Sequence, residues 1–186
     1  MPTNFVFVRH AEGYHNLDEK IRGDISFTDP INIDAILTDY GINQAKSNTF
    51  GDEKFDDIFC SPMRRCKQTL LNMYPKSQSL PVIVDDRLIE QPQGRNLSNK
   101  RLEKNDPKSY TPMRWNTNLV SDVNPFVADV DKDIENIMTF TKSIKDKYPN
   151  GKVLIVSHGK WIHNWLMIYK NKSRWINNCE CIRESL

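Results

Sequence analysis

"FVFVRHAEGYHN", Phe5 to Asn16, sets a run of apolar side chains directly against an arginine and a histidine, with polar residues after them. The apolar run scarcely alternates, which suits a strand buried on both faces, as in a parallel sheet. The same character returns in Asp57–Cys60, Pro81–Val84 and Lys152–Val156, giving four strand candidates with Asn4–Val8. Helical patterns fill the intervals. Thr38 can cap a helix from about Asp39 to Thr49. In "SPMRRCKQTLLNMY", Ser61 stands at a capping position and Pro62 at the first helical one. Met63, Cys66, Leu70 and Met73 then fall on one helical face. Asp131 to Tyr148 repeats the pattern with Ile134, Ile137, Met138, Thr141 and Ile144, and Pro149-Asn150-Gly151 stops it. A last helix is predicted over Lys160–Tyr169.

Strands alternating with helices predict an α/β protein, a three-layer α/β/α sandwich with a mostly parallel sheet. "NCECIRESL" at the tail reads as an antiparallel edge strand. Residues 91–126 break the rhythm with Pro92, Pro107, Pro112 and Pro125. They lack the apolar residues for a core of their own. They read as a small cap excursion above the carboxyl ends of the strands, within a single domain spanning residues 1–186.

The totals exclude several classes. With 186 residues, 38% hydrophobic and 27% charged, the chain suits a soluble globular domain. A net charge of +2 supplies no strong field toward nucleic acid or a membrane. No apolar run reaches membrane-spanning length, and the first residues lack the basic start of a secretory signal, so a cytoplasmic location is expected. Cys60, Cys66, Cys179 and Cys181 show no metal-ligand spacing with histidine and read as reduced thiols. No metal, cofactor, nucleic-acid or membrane partner is expected; the oligomeric state is open.

In open α/β sheets, ligands bind beyond the carboxyl ends of the strands. Arg9 and His10 follow the first strand, Ser157, His158 and Gly159 follow the last parallel one, and Arg65 sits one turn into the helix that begins after "DIFC". Two guanidiniums and two imidazoles at one sheet edge make a pocket for a compact dianion. Helix starts after Ser61 and His158 add backbone N–H groups. The expected ligand is a small phosphorylated substrate or inorganic phosphate.

"RHAE" with Asn16, "LTDYGINQA" (Leu37–Ala45), "SPMRRCKQT" (Ser61–Thr69), "LIEQPQG" (Leu88–Gly94) and "VSHG" (Val156–Gly159) together resemble the histidine phosphatase superfamily, also called phosphoglycerate mutase-like. The segments stand in the family's order and span most of the chain. The resemblance implies a metal-independent phosphatase of small phosphomonoesters acting through a phosphohistidine. It makes His10 the nucleophile. Arg9, Arg65 and His158 would hold the phosphoryl group, with a hydrogen bond from Asn16 and a backbone N–H at Gly159. Glu90 would protonate the leaving oxygen and then activate water. Ala11 stands where glycine is commoner, and the tryptophan-glutamate-glycine that often trails the acid is missing, which keeps Glu103 as a reserve acid. The alternatives are phosphoglycerate mutase-type transfer, or a phosphate-binding module without turnover.

Other residues carry plainer readings. Glu12 belongs to the motif as a structural group. His15 either touches substrate at the rim or is a solvated loop histidine. His163 is structural, and Arg64, about 100° round the helix from Arg65, is a surface residue. Trp161 and Trp165 are spaced as core residues, while Trp115 could line a substrate wall. Arg22, Arg95 and Lys100 either bind a second anionic group or are plain surface.

Overall fold

A computed structural model of the chain describes residues 2–74, 81–90, 96–102, 113–121 and 130–186. Six strands among them, β1 (Asn4–Arg9), β2 (Asp57–Cys60), β3 (Val82–Asp85), β4 (Trp115–Leu119), β5 (Lys152–Ser157) and β6 (Cys181–Ser185), form one sheet. Its order is β4-β3-β2-β5-β1-β6, and every pairing is parallel except β1 with β6. The α/β class, the mostly parallel sheet and the antiparallel tail strand thus match the sequence reading.

The runs fail to alternate because both faces of the sheet are covered. Val6, Val8, Ile58, Cys60, Leu154 and Val156 pack beneath α2 (Asp39–Ser47) and α3 (Arg64–Met73), against Ala45, Cys66, Leu70 and Met73. Phe5, Phe7, Phe59, Val153 and Ile155 face the opposite way, toward α4 (Val130–Lys147) and α5 (Gly159–Lys170). Phe7 lies 4.6 Å from the Trp165 ring and 6.2 Å from that of Trp161. Both tryptophans are fully buried, as their spacing predicted.

Some expectations need correction. α4 buries Ile137, Phe140, Thr141 and Ile144, whereas Ile134 and Met138 remain 38% and 50% exposed. The inward face is turned by Phe140, which meets Phe59 and Trp161 edge-on at 5.4 and 5.8 Å. A ring of that area outweighs a methionine at the boundary. Inside the stretch expected to stand above the sheet, Trp115–Leu119 instead pairs with β3 at the sheet edge. "WNTNL" carries no apolar periodicity, and it joins the sheet through backbone pairing with β3. Trp115 packs on the flank of the core, under the Lys67 ammonium at 5.9 Å. A further helix, α1 (Tyr14–Arg22), follows the first strand where only polar residues were read.

α3 begins at Arg64 rather than at Pro62, and Ser61 is not its cap. The cap comes from elsewhere in the chain. The Arg64 N–H donates to Oδ1 of Asp34 at 2.9 Å, and the Leu102 N–H donates to Oδ2 at 3.3 Å. Asp34 is buried and holds a left-handed φ of 46° to reach both. A carboxylate at a helix N-terminus meets the unpaired N–H groups and the positive end of the dipole. Thr38 does cap α2 as read, accepting from the Gly41 N–H at 3.0 Å. Among the described residues, no helix is long and apolar enough to cross a membrane.

Candidate active site

β5 lies between β1 and β2, and the register sets Arg9 opposite Ser157 and Cys60 opposite Val156. The residues one step beyond these pairs are therefore neighbours. The His10 N–H donates to the Ser157 carbonyl at 3.0 Å, and the Ser61 N–H to that of Val156 at 3.0 Å. The His10 and His158 rings meet at 5.3 Å between centroids, edge to face at 67°. Arg65 stands with them, its Nη2 3.2 Å from Nδ1 of His158. The topology thus gathers His10, Arg65 and His158, all buried, at the carboxyl edge of the sheet.

Hydrogen bonds fix the tautomers. Nδ1 of His10 faces the Ala11 carbonyl at 2.8 Å. A carbonyl only accepts, so Nδ1 carries the proton and Nε2 keeps its lone pair. Nδ1 of His158 accepts from Arg65, so its Nε2–H donates to the Ser61 hydroxyl at 2.9 Å. Burial, then the Arg65 guanidinium and the neighbouring imidazole, hold the His10 pKa well below the ordinary histidine value. Burial followed by Arg65 does the same at His158 and His15. His10 therefore presents a neutral imidazole with a free Nε2.

Before it opens a cavity of about 230 Å³, whose walls include Arg9, His10, Asn16, Glu90, Asn99 and Gly159. Arg65 and His158 are not on this wall; they are fully buried behind it. Each arginine is held by its outer nitrogens. Arg9 Nη1 donates to the Ile176 carbonyl at 2.8 Å. Arg65 Nη1 donates to the Ser98 carbonyl at 2.9 Å, and its Nη2 to Oδ1 of Asn99 at 2.8 Å. The Nε atoms of Arg9 and Arg65 and Nδ1 of His15 are buried without a partner. The His15 ring is 5.4 Å from that of His10. Unsatisfied buried polar groups are rare in folded proteins; here Arg9 and His15 border the cavity and Arg65 lies behind it.

The remaining site residues take defined places. Oδ1 of Asn16 accepts from the Gly13 N–H and from Nδ2 of Asn178, each at 3.2 Å. Oε1 of Glu90 accepts the Lys160 N–H at 2.6 Å, at the start of α5, and Oε2 accepts from Nδ2 of Asn99 at 3.4 Å. Arg9 lies across Gly159, where an added Cβ would come within 3.1 Å of its Nε.

The outer motif residues hold the loop from His10 to Gly13. The Thr69 hydroxyl accepts from the Ala11 N–H at 2.9 Å, and Oε1 of Gln44 accepts from the Glu12 N–H at 3.0 Å. The Thr38 N–H donates to the Glu12 carbonyl at 3.0 Å, and Gln68 receives the Leu37 N–H at 2.8 Å. On the far side, the Cys179 N–H donates to the Arg9 carbonyl at 3.1 Å. Sequence reasoning missed Ser61 as the partner of His158, and missed Asn99 and Asn178 altogether. Only the position of Ser61 one step past β2 carried a signal.

Several readings are settled by contacts. Glu12 is structural, paired with Lys20 at 2.5 Å and with the Thr38 hydroxyl at 3.0 Å. Arg64 turns to the Asp34 carbonyl at 2.8 Å, and Arg22 pairs with Asp18 and Asp29. His15 is on the cavity wall, whereas Trp115 is not. Lys100 is exposed. Arg95 and Glu103 lie outside the described residues. Among those described, no three His, Cys, Asp or Glu side chains are grouped to hold a metal. A larger groove of about 540 Å³ on the other face of α1 is bordered by Tyr14, Leu17 and Ile21 and holds no histidine or cysteine.

Comparison with known proteins gives a consistent answer. The family model described as histidine phosphatase superfamily (branch 1) matches residues 5–175. "Phosphoglycerate mutase-like protein 4" of Arabidopsis thaliana is 26% identical over 162 residues, covering 84% of this chain; the chain spans only 66% of that protein's length. "Uncharacterized phosphatase PhoE" of Bacillus subtilis is 28% identical over 165 residues, 87% of this chain and 74% of the other. A crystal structure of phosphoglycerate mutase from Bacillus anthracis superposes with a TM-score of 0.65 at 16% identity, covering 97% of this chain and 86% of that one, a likeness of fold.

Proposed function

The chain belongs to the histidine phosphatase superfamily, branch 1, and from that premise we propose that it hydrolyses phosphomonoesters of small metabolites through a phosphohistidine. The observation that carries this reading is the neutral His10, with its free Nε2, beside unpartnered buried nitrogens of Arg9, Arg65 and His15. Phosphoryl transfer needs mainly alignment and positive charge about the equatorial oxygens.

His10 Nε2 attacks phosphorus as the ester P–O bond breaks. Arg9 presents its Nε–H group, Arg65 adds positive charge from behind the wall, and Asn16 and the Gly159 backbone add hydrogen bonds. His158 fixes Nη2 of Arg65 and would reach the phosphoryl oxygens itself only by giving up Ser61. Glu90, steadied at the start of α5, gives its proton to the departing alkoxide. It then takes one from the water that attacks the phosphohistidine, releasing inorganic phosphate and restoring His10 and Glu90. Each preorganised donor of this kind is worth about 3–4 kcal/mol in the transition state. Asn96, Ser98 and Asn99 border the cavity, the whole chain acts as a single domain, and the setting is cytoplasmic.

The test is hydrolysis of p-nitrophenyl phosphate at mildly acidic pH, insensitive to EDTA and inhibited by vanadate. His10→Ala is expected to abolish turnover and Glu90→Gln to slow it. A His10→Ala protein as active as wild type would sink the covalent route. Interconversion of 3- and 2-phosphoglycerate with a bisphosphoglycerate primer would reassign the site to a mutase. Phosphate binding without turnover on any ester would leave a binding module.

A further inference from the structure

Besides Arg9 and His10, the cavity wall includes Phe27, Trp175, Glu19 and Asn96. Trp175 is 64% exposed, unlike the fully buried Trp161 and Trp165. It is nonetheless fixed. Its indole stacks on the His163 ring at 4.2 Å with 7° between planes, and Nδ1–H of His163 donates to the Arg174 carbonyl at 3.0 Å. The next carbonyl along the chain, that of Ile176, holds Nη1 of Arg9. The indole is thus tied to the phosphate-binding arginine by a single residue step, about 3.8 Å between Cα atoms.

We infer that Trp175 is the platform for a planar ring on the substrate's alcohol, so that the preferred substrates are phosphomonoesters of the nucleoside 5′-monophosphate kind. The inference rests on the phosphatase reading of the same cavity. One indole face is covered by His163, and the residue borders the cavity, so a ring attached to the bound phosphate through a pentose can lie on the rest. Phe27 adds an apolar wall. Glu19 and Asn96 supply partners for hydroxyls and ring heteroatoms. Stacking of a base on an aromatic side chain contributes about 10- to 100-fold in affinity.

Ribose 5-phosphate and adenosine 5′-monophosphate share the same primary alkoxide leaving group, so comparing them isolates the ring from leaving-group reactivity. Wild type is expected to favour the nucleotide at least tenfold in kcat/KM, mostly through KM. Trp175→Ala should collapse that ratio toward one, and Trp175→Phe should keep part of it. A wild-type ratio near one, or an undiminished ratio in Trp175→Ala, overturns the inference. Calorimetric binding of the same two compounds to His10→Ala reads the ring site without turnover. Equal affinities there overturn it as well. Tighter nucleotide binding with no hydrolysis by wild type supports the ring platform and rejects the phosphatase reading instead.

Discussion

Asn99 joins the two halves of the proposed chemistry within one side chain. Its Oδ1 holds the Arg65 guanidinium at 2.8 Å, and its Nδ2 faces Oε2 of Glu90 at 3.4 Å. It sits in a short turn that Asn96 caps by accepting the Ser98 N–H at 2.9 Å. Hydrogen bonds to charged partners contribute about 1.5–3 kcal/mol. Asn99→Ala is therefore expected to lower kcat about tenfold or more, while circular dichroism stays that of wild type. Asn99→Asp is the sharper probe. It keeps the acceptor for Arg65 but sets a second carboxylate beside Glu90, and like charges favour the protonated acid. The basic limb of the pH–kcat profile should move upward; an unmoved limb would remove Asn99 from the acid's surroundings. None of this was legible in "NLSNK", because the contact depends on where a loop lands. The types at His10, Arg65 and His158 were legible, but not the ring orientation that turns His158 toward Ser61.

The motif around α2 works by closeness. An added Cβ at Gly41 would lie 2.1 Å from the Glu12 carbonyl oxygen. That oxygen belongs to backbone that Thr38 and Gln44 hold in place, so no flexible side chain can yield. Gly41→Ala should cost at least about 2 kcal/mol by overpacking, read as a lower urea midpoint with an unchanged slope. It should also reduce turnover, although Gly41 does not border the cavity, because the shifted loop carries His10. Retained activity with lost stability would separate the loop from the site. "LTDYGINQA" was recognisable as a pattern and Thr38 as a cap, since both are local. The cause of the glycine was not, because it lies 29 positions away in a neighbouring backbone. Local signals likewise placed β1, β2, β3, β5 and α5 within a residue or two. They failed where a partner from afar decides: Asp34 capping α3, Phe140 turning α4, and β3 recruiting the polar β4.

At the scale of the whole molecule, the fold keeps His10, His15 and His158 neutral in one place, and that ties stability to pH. In the unfolded chain each titrates near its ordinary value of about 6.5. In the fold each pKa lies well below that, chiefly through burial and then through Arg65 and its neighbours. As pH falls below about 6.5 the unfolded state takes up protons that the native state refuses. Stability is therefore full above that pH and declines beneath it, by up to about 1.4 kcal/mol per pH unit for each ring. A dianion in the cavity reverses the balance, because it favours imidazolium. Its binding should be coupled to proton uptake, and its stabilising effect should grow on acidification. Sulfate is the suitable probe, since its own charge is constant over this range. The melting temperature without ligand is expected to fall between pH 7 and 5.5, and the rise produced by a fixed sulfate concentration to be larger at pH 6 than at pH 8. If that rise is the same at both, the anion is not bound among the buried imidazoles. The phosphoryl site would then have to be sought elsewhere on the molecule.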